Sequence, residues 1–286
     1  MTANRENAAA RLAALADANR ATLDAIDAGT AKWPGDAYYG YYLADIFDCP
    51  PFLMFTNNDC PRAINILYLR KFEPGSMALW SRYARTATSI LDIGAHVGVY
   101  ALAAAALRAD IPIHAFEPNP FASARLRLHK ECNGFENIVE GRMALAHKTS
   151  VASISWGKEK RLIPSGASLA KRDGGQSEQA YVQLTTLDSL DIGPVGDRCL
   201  MKIDVEGAEG LVFTGMTRHL AHLPDIILET FSQDKCDAIN DLVLPLGYKV
   251  YLIHEDTGVL EPQDKLIART LESDDYNQFL TTRPLL

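Results

Sequence analysis

Cysteine is scarce in this chain: five residues, Cys49, Cys60, Cys132, Cys199 and Cys236, scattered and never in a C-x-x-C arrangement. That spacing excludes a disulfide framework and a cysteine zinc site, and predicts reduced, mostly buried thiols in a cytoplasmic protein. No metal is called for. No apolar run reaches the about 18 residues a membrane span needs, and the N-terminus lacks the charged-then-apolar pattern of a signal peptide. Positive charge is not in excess either; the formal net charge of −8 argues against a polyanion as the main partner, so no nucleic acid is expected. Repeats and low-complexity tracts are absent. So is the G-x-G-x-x-G fingerprint of dinucleotide folds, because His96 stands where its second glycine would be.

What remains is a chain of 286 residues, 48% of them hydrophobic, sufficient for one α/β domain and an N-terminal addition. The expected division is residues 1–70, an amphipathic helix and an aromatic-rich lid segment, and residues 71–286, the main domain. Residues 4–28 place Leu12, Leu15, Leu23 and Ile26 on one side of a helix without internal Pro or Gly. Such a helix packs on its own domain, on a second subunit of a homo-oligomer, or over the site as a cover. Residues 31–60 interleave aromatics with turn formers and read either as a surface for a sugar or apolar acceptor or as an irregular lid packed on the core. Residues 64–69 read as strand-like, with a helix starting near Pro74. Strands are then expected near 89–93, 112–116, 137–139, 200–205, 225–229, 248–254 and 265–270, with helices near 97–108, 120–132, 207–221 and 234–245. This alternation predicts an α/β doubly wound, seven-stranded sheet with helices on both faces. Residues 150–187 interrupt it as a β-hairpin insertion with a Gly-rich tip.

The segment SILDIGAHVGVYALAAAA, Ser89 to Ala106, is an apolar strand, a turn carrying Gly94 and Gly98, and a helix opening at once. The next strand, IHAFEP, stops on Glu117. Glycine at both turn positions lets backbone pass close beneath a ligand, the helix start offers free N–H groups, and a carboxylate at the neighbouring strand tip can accept both hydroxyls of a ribose. The spacing Gly94-x-x-x-Gly98 leaves NAD and FAD disfavoured and suits S-adenosylmethionine; small residues four apart also serve plain strand-to-helix packing.

CLMKIDVEGAEG, residues 199–210, is the other informative run. A sheet covered on both faces wants continuous apolar strands, yet Lys202, Asp204 and Glu206 share one face here. Residues two apart on a strand stand about 6.5–7 Å apart, so Lys202 and Asp204 can address one group together, or Lys202 can simply neutralise Asp204. Asp204, near the strand end, faces the crevice where open α/β sheets bind ligands.

LDIGAHVGVYALAA, HAFEPNP, LTTLDSL, LMKIDVEGAEGLVFTGM and DIILET together resemble the FkbM-type methyltransferases, in the same order and at similar separations from about Glu73 to His254. FEPGSMALW also looks like that family's Glu-Pro block, although the hydroxyl expected a little further on appears here as Ser76, with Met77 beside it. The resemblance implies a Rossmann-like methyltransferase sheet, S-adenosylmethionine as donor with S-adenosylhomocysteine as product, and a hydroxyl of a small molecule, saccharide or natural product as acceptor. It further implies Asp92, Gly94, Ala95 and Gly98 at the methionine and ribose end, Glu117 on the ribose diol, Pro118 and Asn119 flanking the adenine, Arg142 and Met143 at its edge, and Glu73 reaching the cofactor from the preceding segment. An alcohol needs a base near the methyl group: Asp204 stands first, His96 second, then Lys202, Glu206, Glu229 and His254. Two rival readings are an RNA ribose 2′-O-methyltransferase, in which a lysine is the base, and a non-catalytic cofactor-binding scaffold.

Overall fold

The computed structural model describes residues 2–33, 35–45, 47–157, 163, 177–193, 196, 198–230, 232–268 and 276–286. The N-terminal helix is not continuous. It runs as α1, Thr2–Leu15, and α2, Arg20–Asp27, with a single 3₁₀ turn over Asp17–Asn19 between them. Asp and Asn favour caps over helix interiors, and buried Ala16 leaves the helical conformation there. Leu23 and Ile26 are buried as expected, whereas Leu15 is exposed.

Strands β1, Gly40–Ala44, and β2, Phe52–Thr56, form an antiparallel hairpin from the aromatic stretch. Tyr38, Tyr42 and Phe52 are core side chains, and Tyr39 is exposed. The run that read as strand-like is helical: α3, Pro61–Ile64, continues into a π-helical turn over Asn65–Leu69. A short apolar run carries no period that separates strand from buried helix, and Pro61 at the first helical position settles the matter locally. This N-terminal layer docks on the main domain through buried polar contacts. Arg125 pairs with Asp59 at 2.7 Å, and Asn133 and the Leu53 backbone exchange hydrogen bonds of 2.7 and 2.8 Å.

The main domain continues with α4, Pro74–Ala84, β3, Ser89–Ile93, α5, Val99–Leu107, β4, Ile113–Phe116, α6, Pro120–Asn133, and β5, Ile138–Gly141. A short β6, Ala144–Leu145, joins the hairpin of β7, Ser150–Gly157, and β8, Ser177–Thr185, in a separate three-stranded sheet; the Gly-rich hairpin tip lies outside the described residues apart from Ile163. Then follow β9, Cys199–Ile203, α7, Glu209–Thr214, α8, Thr217–Leu220, β10, Asp225–Glu229, α9, Gln233–Val243, β11, Lys249–Ile253, β12, Leu260–Gln263, and β13, Asn277–Thr281. The expected helix over 207–221 is thus two helices, parted at Gly215 and Met216.

The central sheet has eight strands in the order β12-β11-β13-β10-β9-β3-β4-β5, parallel from β10 to β5, with β13 antiparallel between β10 and β11. The last central strand is Asn277–Thr281; of the strand expected at 265–270, residues 265–268 are not in a strand and 269–270 lie outside the described residues. Alternate residues feed two cores: Ile90, Leu200 and Ile227 pack toward α4 and α5, while Leu91, Met201 and Ile226 pack toward α7 and α9. β3 and β9 are neighbours although chain connections leave them in opposite directions across the sheet, β3 toward β4 and β9 toward β10. A crevice opens at such a switch point beyond the strands' C-terminal ends. Gly94 and Asp204 follow those two ends directly, and the Asp204 N–H donates to the Ile93 carbonyl at 2.9 Å.

Candidate active site

The turn after β3 is built by three residues in the left-handed region, Gly94 (φ 87°), His96 (φ 51°) and Gly98 (φ 91°). A Cβ on Gly94 would stand 1.7 Å from the Asp204 carbonyl oxygen, and one on Gly98 would press on Leu126 at 3.0 Å. Both glycines therefore answer to φ and to packing within the fold. Gly94 also lines the crevice; Gly98 lies outside it. Asp92 accepts the Ala101 N–H at 3.0 Å, fixing the first turn of α5, and burial lifts its pKa to about 7.

Glu117 closes the other side of the turn. One carboxylate oxygen accepts the His96 N–H and the other the Asn119 N–H, both at 2.7 Å. Burial raises the pKa of this carboxyl to about 7 against the pull of those two N–H groups. Each oxygen keeps a further lone pair, so the group is oriented and still able to accept two hydroxyls. Asn119 caps α6, accepting the Phe121 N–H at 2.9 Å, and its buried Nδ2 has no partner among the described residues. Pro118, Met143, Phe116 and Ile154 make an apolar slot beside Glu117, within a cavity that extends to Asp204 and Glu206. Arg142, one residue before Met143, is exposed and lines neither cavity.

A second, smaller cavity opens on the far side of Gly94 and His96, lined also by Asp92, Ala95, Tyr100 and Lys202. Lys202 is 1% exposed, donates to Asn277 at 2.8 Å, and lies 5.3 Å from the centroid of the Tyr100 ring. Desolvation pulls its pKa down, but nearby acidic groups, Asp204 first and then Glu73, outweigh that, so it stays a charged ammonium. Its hydrogen-bonding partner is Asn277. Asp204 is instead paired with Arg62, at 3.4 Å, and that guanidinium also lies 3.7 Å from Glu73. The Oδ1 atom of Asp204 is buried without a partner among the described residues.

Glu73 has φ 40° and accepts from the Tyr100 hydroxyl at 2.6 Å and from Asn277 at 3.1 Å. Asn277 also donates to Glu255 at 3.2 Å, and Glu255 accepts the Ser76 N–H at 3.1 Å as well as the Ser76 hydroxyl. Burial, with the Asp204 carboxylate next, pushes Glu229 up to about 9. His254 pairs with Glu261 at 2.7 Å, outside both cavities.

Most of the residues expected at the site thus converge: Asp92, Gly94, Ala95, His96, Glu117, Pro118, Asn119, Met143, Lys202 and Asp204 line one cavity or both, and Glu73 reaches them through Arg62. Arg62, Glu255 and Asn277 lie in no motif of the sequence, and Tyr100, although inside LDIGAHVGVYALAA, has nothing there to mark a role. Arg62 arrives from the N-terminal layer and Asn277 from the last strand; only the buried charge on β9, which demands partners, hints at them. Carboxylates outnumber cations around the crevice, and Asn119, Asp204 and Arg62, which line it, each carry a buried polar atom with no partner among the described residues. These features fit a polar, cationic nucleoside ligand. Among the described residues no three His, Cys, Asp or Glu side chains are grouped to hold a metal, and no helix is long and apolar enough to cross a membrane.

A family model described as the methyltransferase FkbM domain matches residues 92–250. Among solved structures, the chain is similar to methyltransferase FkbM from Methylobacillus flagellatus KT, at 14% identity and a TM-score of 0.45, over 68% of this chain and 44% of that one. It is also similar to a precorrin-6y C5,15-methyltransferase from Geobacter metallireducens GS-15, at 15% identity and a TM-score of 0.41, over 72% and 87% of the two chains. A SAM-dependent O-methyltransferase from Thermotoga maritima matches at 12% identity and a TM-score of 0.42, over 81% and 73%. The alignment thus spans less than half the length of the FkbM structure. No curated protein matches the sequence.

Proposed function

The chain belongs to the methyltransferase FkbM family, and from that premise we propose that it is an S-adenosylmethionine-dependent O-methyltransferase acting on a hydroxyl of a small molecule or saccharide. The observation that carries the reading is Glu117: both carboxylate oxygens are fixed by backbone N–H groups at 2.7 Å while keeping lone pairs for a diol. In this role Glu117 takes the ribose hydroxyls, and Pro118, Asn119 and Met143 flank the adenine. Gly94, Ala95, Asp92 and Glu73 face the methionyl end. S-adenosylmethionine would supply a methyl group already activated on a cationic sulfonium, which an excess of carboxylates favours.

The protein's task is then to align an acceptor oxygen, exclude water and take a proton. Asp204 is the base: its Oδ1 is buried, open and at the switch point. Such a base contributes roughly 10²–10⁴-fold in rate. Lys202 is held charged and committed to Asn277, which speaks against the lysine base of a ribose 2′-O-methyltransferase. His96 spends its N–H on Glu117, and its ring lines both cavities as second candidate. Five free thiols suit a reducing compartment, and we assign the protein to the cytoplasm.

The test is transfer of labelled methyl from S-adenosylmethionine to a panel of small hydroxyl compounds and saccharides. Wild-type protein should label at least one, and Asp204→Ala should label none while binding S-adenosylhomocysteine within about tenfold of wild type. Labelling of RNA alone, or wild-type rates in Asp204→Ala, would overturn the reading.

A further inference from the structure

Arg62 lines both cavities, yet it comes from the N-terminal layer. Its helix, α3, is held to the β1–β2 hairpin by the Tyr42 hydroxyl, which donates to the Ala63 carbonyl at 2.7 Å. The guanidinium carbon lies 5.5 Å from the centroid of the Phe72 ring. Its two carboxylate contacts, 3.4 Å to Asp204 and 3.7 Å to Glu73, are longer than the about 2.7–2.9 Å of a well-made charged hydrogen bond. Its Nε is buried with no partner among the described residues. A guanidinium presents five donors in a rigid fork, and one largely withdrawn from water with so few of them used is poised for another anion.

The chemistry of that anion follows from the order of groups along the crevice. Glu117 lines the first cavity alone, Gly94, His96, Asp204 and Arg62 stand where the two cavities meet, and the second runs on to Lys202. S-adenosylmethionine, laid out from a ribose at Glu117, carries beyond its sulfur an α-carboxylate and an α-ammonium. Of the two cations in that second cavity, Lys202 is engaged with Asn277 and Tyr100, which leaves Arg62 with donors to spare. We propose that Arg62 binds the α-carboxylate of the cofactor's amino-acid end, so that the N-terminal layer contributes a direct cofactor ligand to the catalytic domain. The inference rests on the reading of the site as one for S-adenosylmethionine. It adds a residue that lies outside the segment matched by the family model.

Two ligands separate this contact from the rest of the site: S-adenosylhomocysteine, and 5′-methylthioadenosine, which has the same adenosine and sulfur without the amino-acid end. In calorimetric titrations Arg62→Met should weaken S-adenosylhomocysteine about 10- to 100-fold, the scale of a charged hydrogen-bonded pair, and leave methylthioadenosine within about twofold. Arg62→Lys, which keeps the charge but not the fork, should recover part of the loss. Equal weakening of both ligands in Arg62→Met and Arg62→Lys, or of neither, would overturn the assignment of Arg62 while leaving the cofactor reading intact. Wild-type protein that binds neither ligand would remove that reading and this one with it.

Discussion

Glu117, at the end of β4, accepts the backbone N–H of His96, in the turn after β3, at 2.7 Å. This bond ties the strand-end acid to the glycine turn, so the two features that stand apart in the sequence form one rigid unit. The other Glu117 oxygen is occupied in the same way by Asn119, at 2.7 Å. Replacement by Ala therefore removes both a ligand acceptor and a brace of the turn. Glu117→Ala should weaken S-adenosylhomocysteine by roughly 1–3 kcal/mol. Glu117→Gln should fare little better, because its amide NH₂ must face one of two backbone N–H donors. Calorimetric affinity unchanged in both variants would contradict this account of the turn.

Gly94 offers a test of packing free of any ligand. Its φ of 87° and the 1.7 Å approach of the Asp204 carbonyl to a built Cβ act together. Gly94→Ala should destabilise the fold by about 3 kcal/mol or more in urea denaturation. Gly247 is the control, with φ 84° and nothing within 4 Å of its Cβ position; Gly247→Ala should cost only about 1–2 kcal/mol of left-handed strain. Equal losses would mean that β3 and β9 do not close on one another as described.

Glu229 links the site to pH. Burial and the Asp204 carboxylate raise its pKa from 4.5 to about 9 in the folded protein. A carboxyl raised on folding contributes stability that is fully present below its unfolded pKa and is lost as pH rises to the folded value. Glu229→Gln removes that loss. The melting temperature of Glu229→Gln should therefore gain on wild type steadily between about pH 4.5 and pH 9. A gap constant with pH would contradict a proton held at this position.

Much of the fold was legible because fully buried parallel strands leave near-continuous apolar runs. Ser89–Ile93 and Asp225–Glu229 match their sequence boundaries, and the strand end at Glu117 and the charged strand at Lys202 locate the switch point. Illegible were the elements whose polarity is satisfied from afar. β13, NQFLT, opens with Asn277 and Gln278, which look like loop residues; in the fold both are buried, Asn277 bonded to Lys202 and Glu73 and Gln278 to Thr230 and Ile267. The apolar segment at 265–268, which resembled a strand, lends backbone groups to Asn240 and Gln278. Arg62 escaped for a different reason. It sits in a four-residue helix, and its partners Glu73 and Asp204 lie in separate later segments.

The most direct test is calorimetric titration of S-adenosylhomocysteine into the wild-type protein one pH unit above and one below about 7, the value to which burial lifts Glu117. A diol needs the ionised carboxylate as acceptor, so one site per chain should appear, tighter at the higher pH. Absence of binding at both pH values would contradict the account.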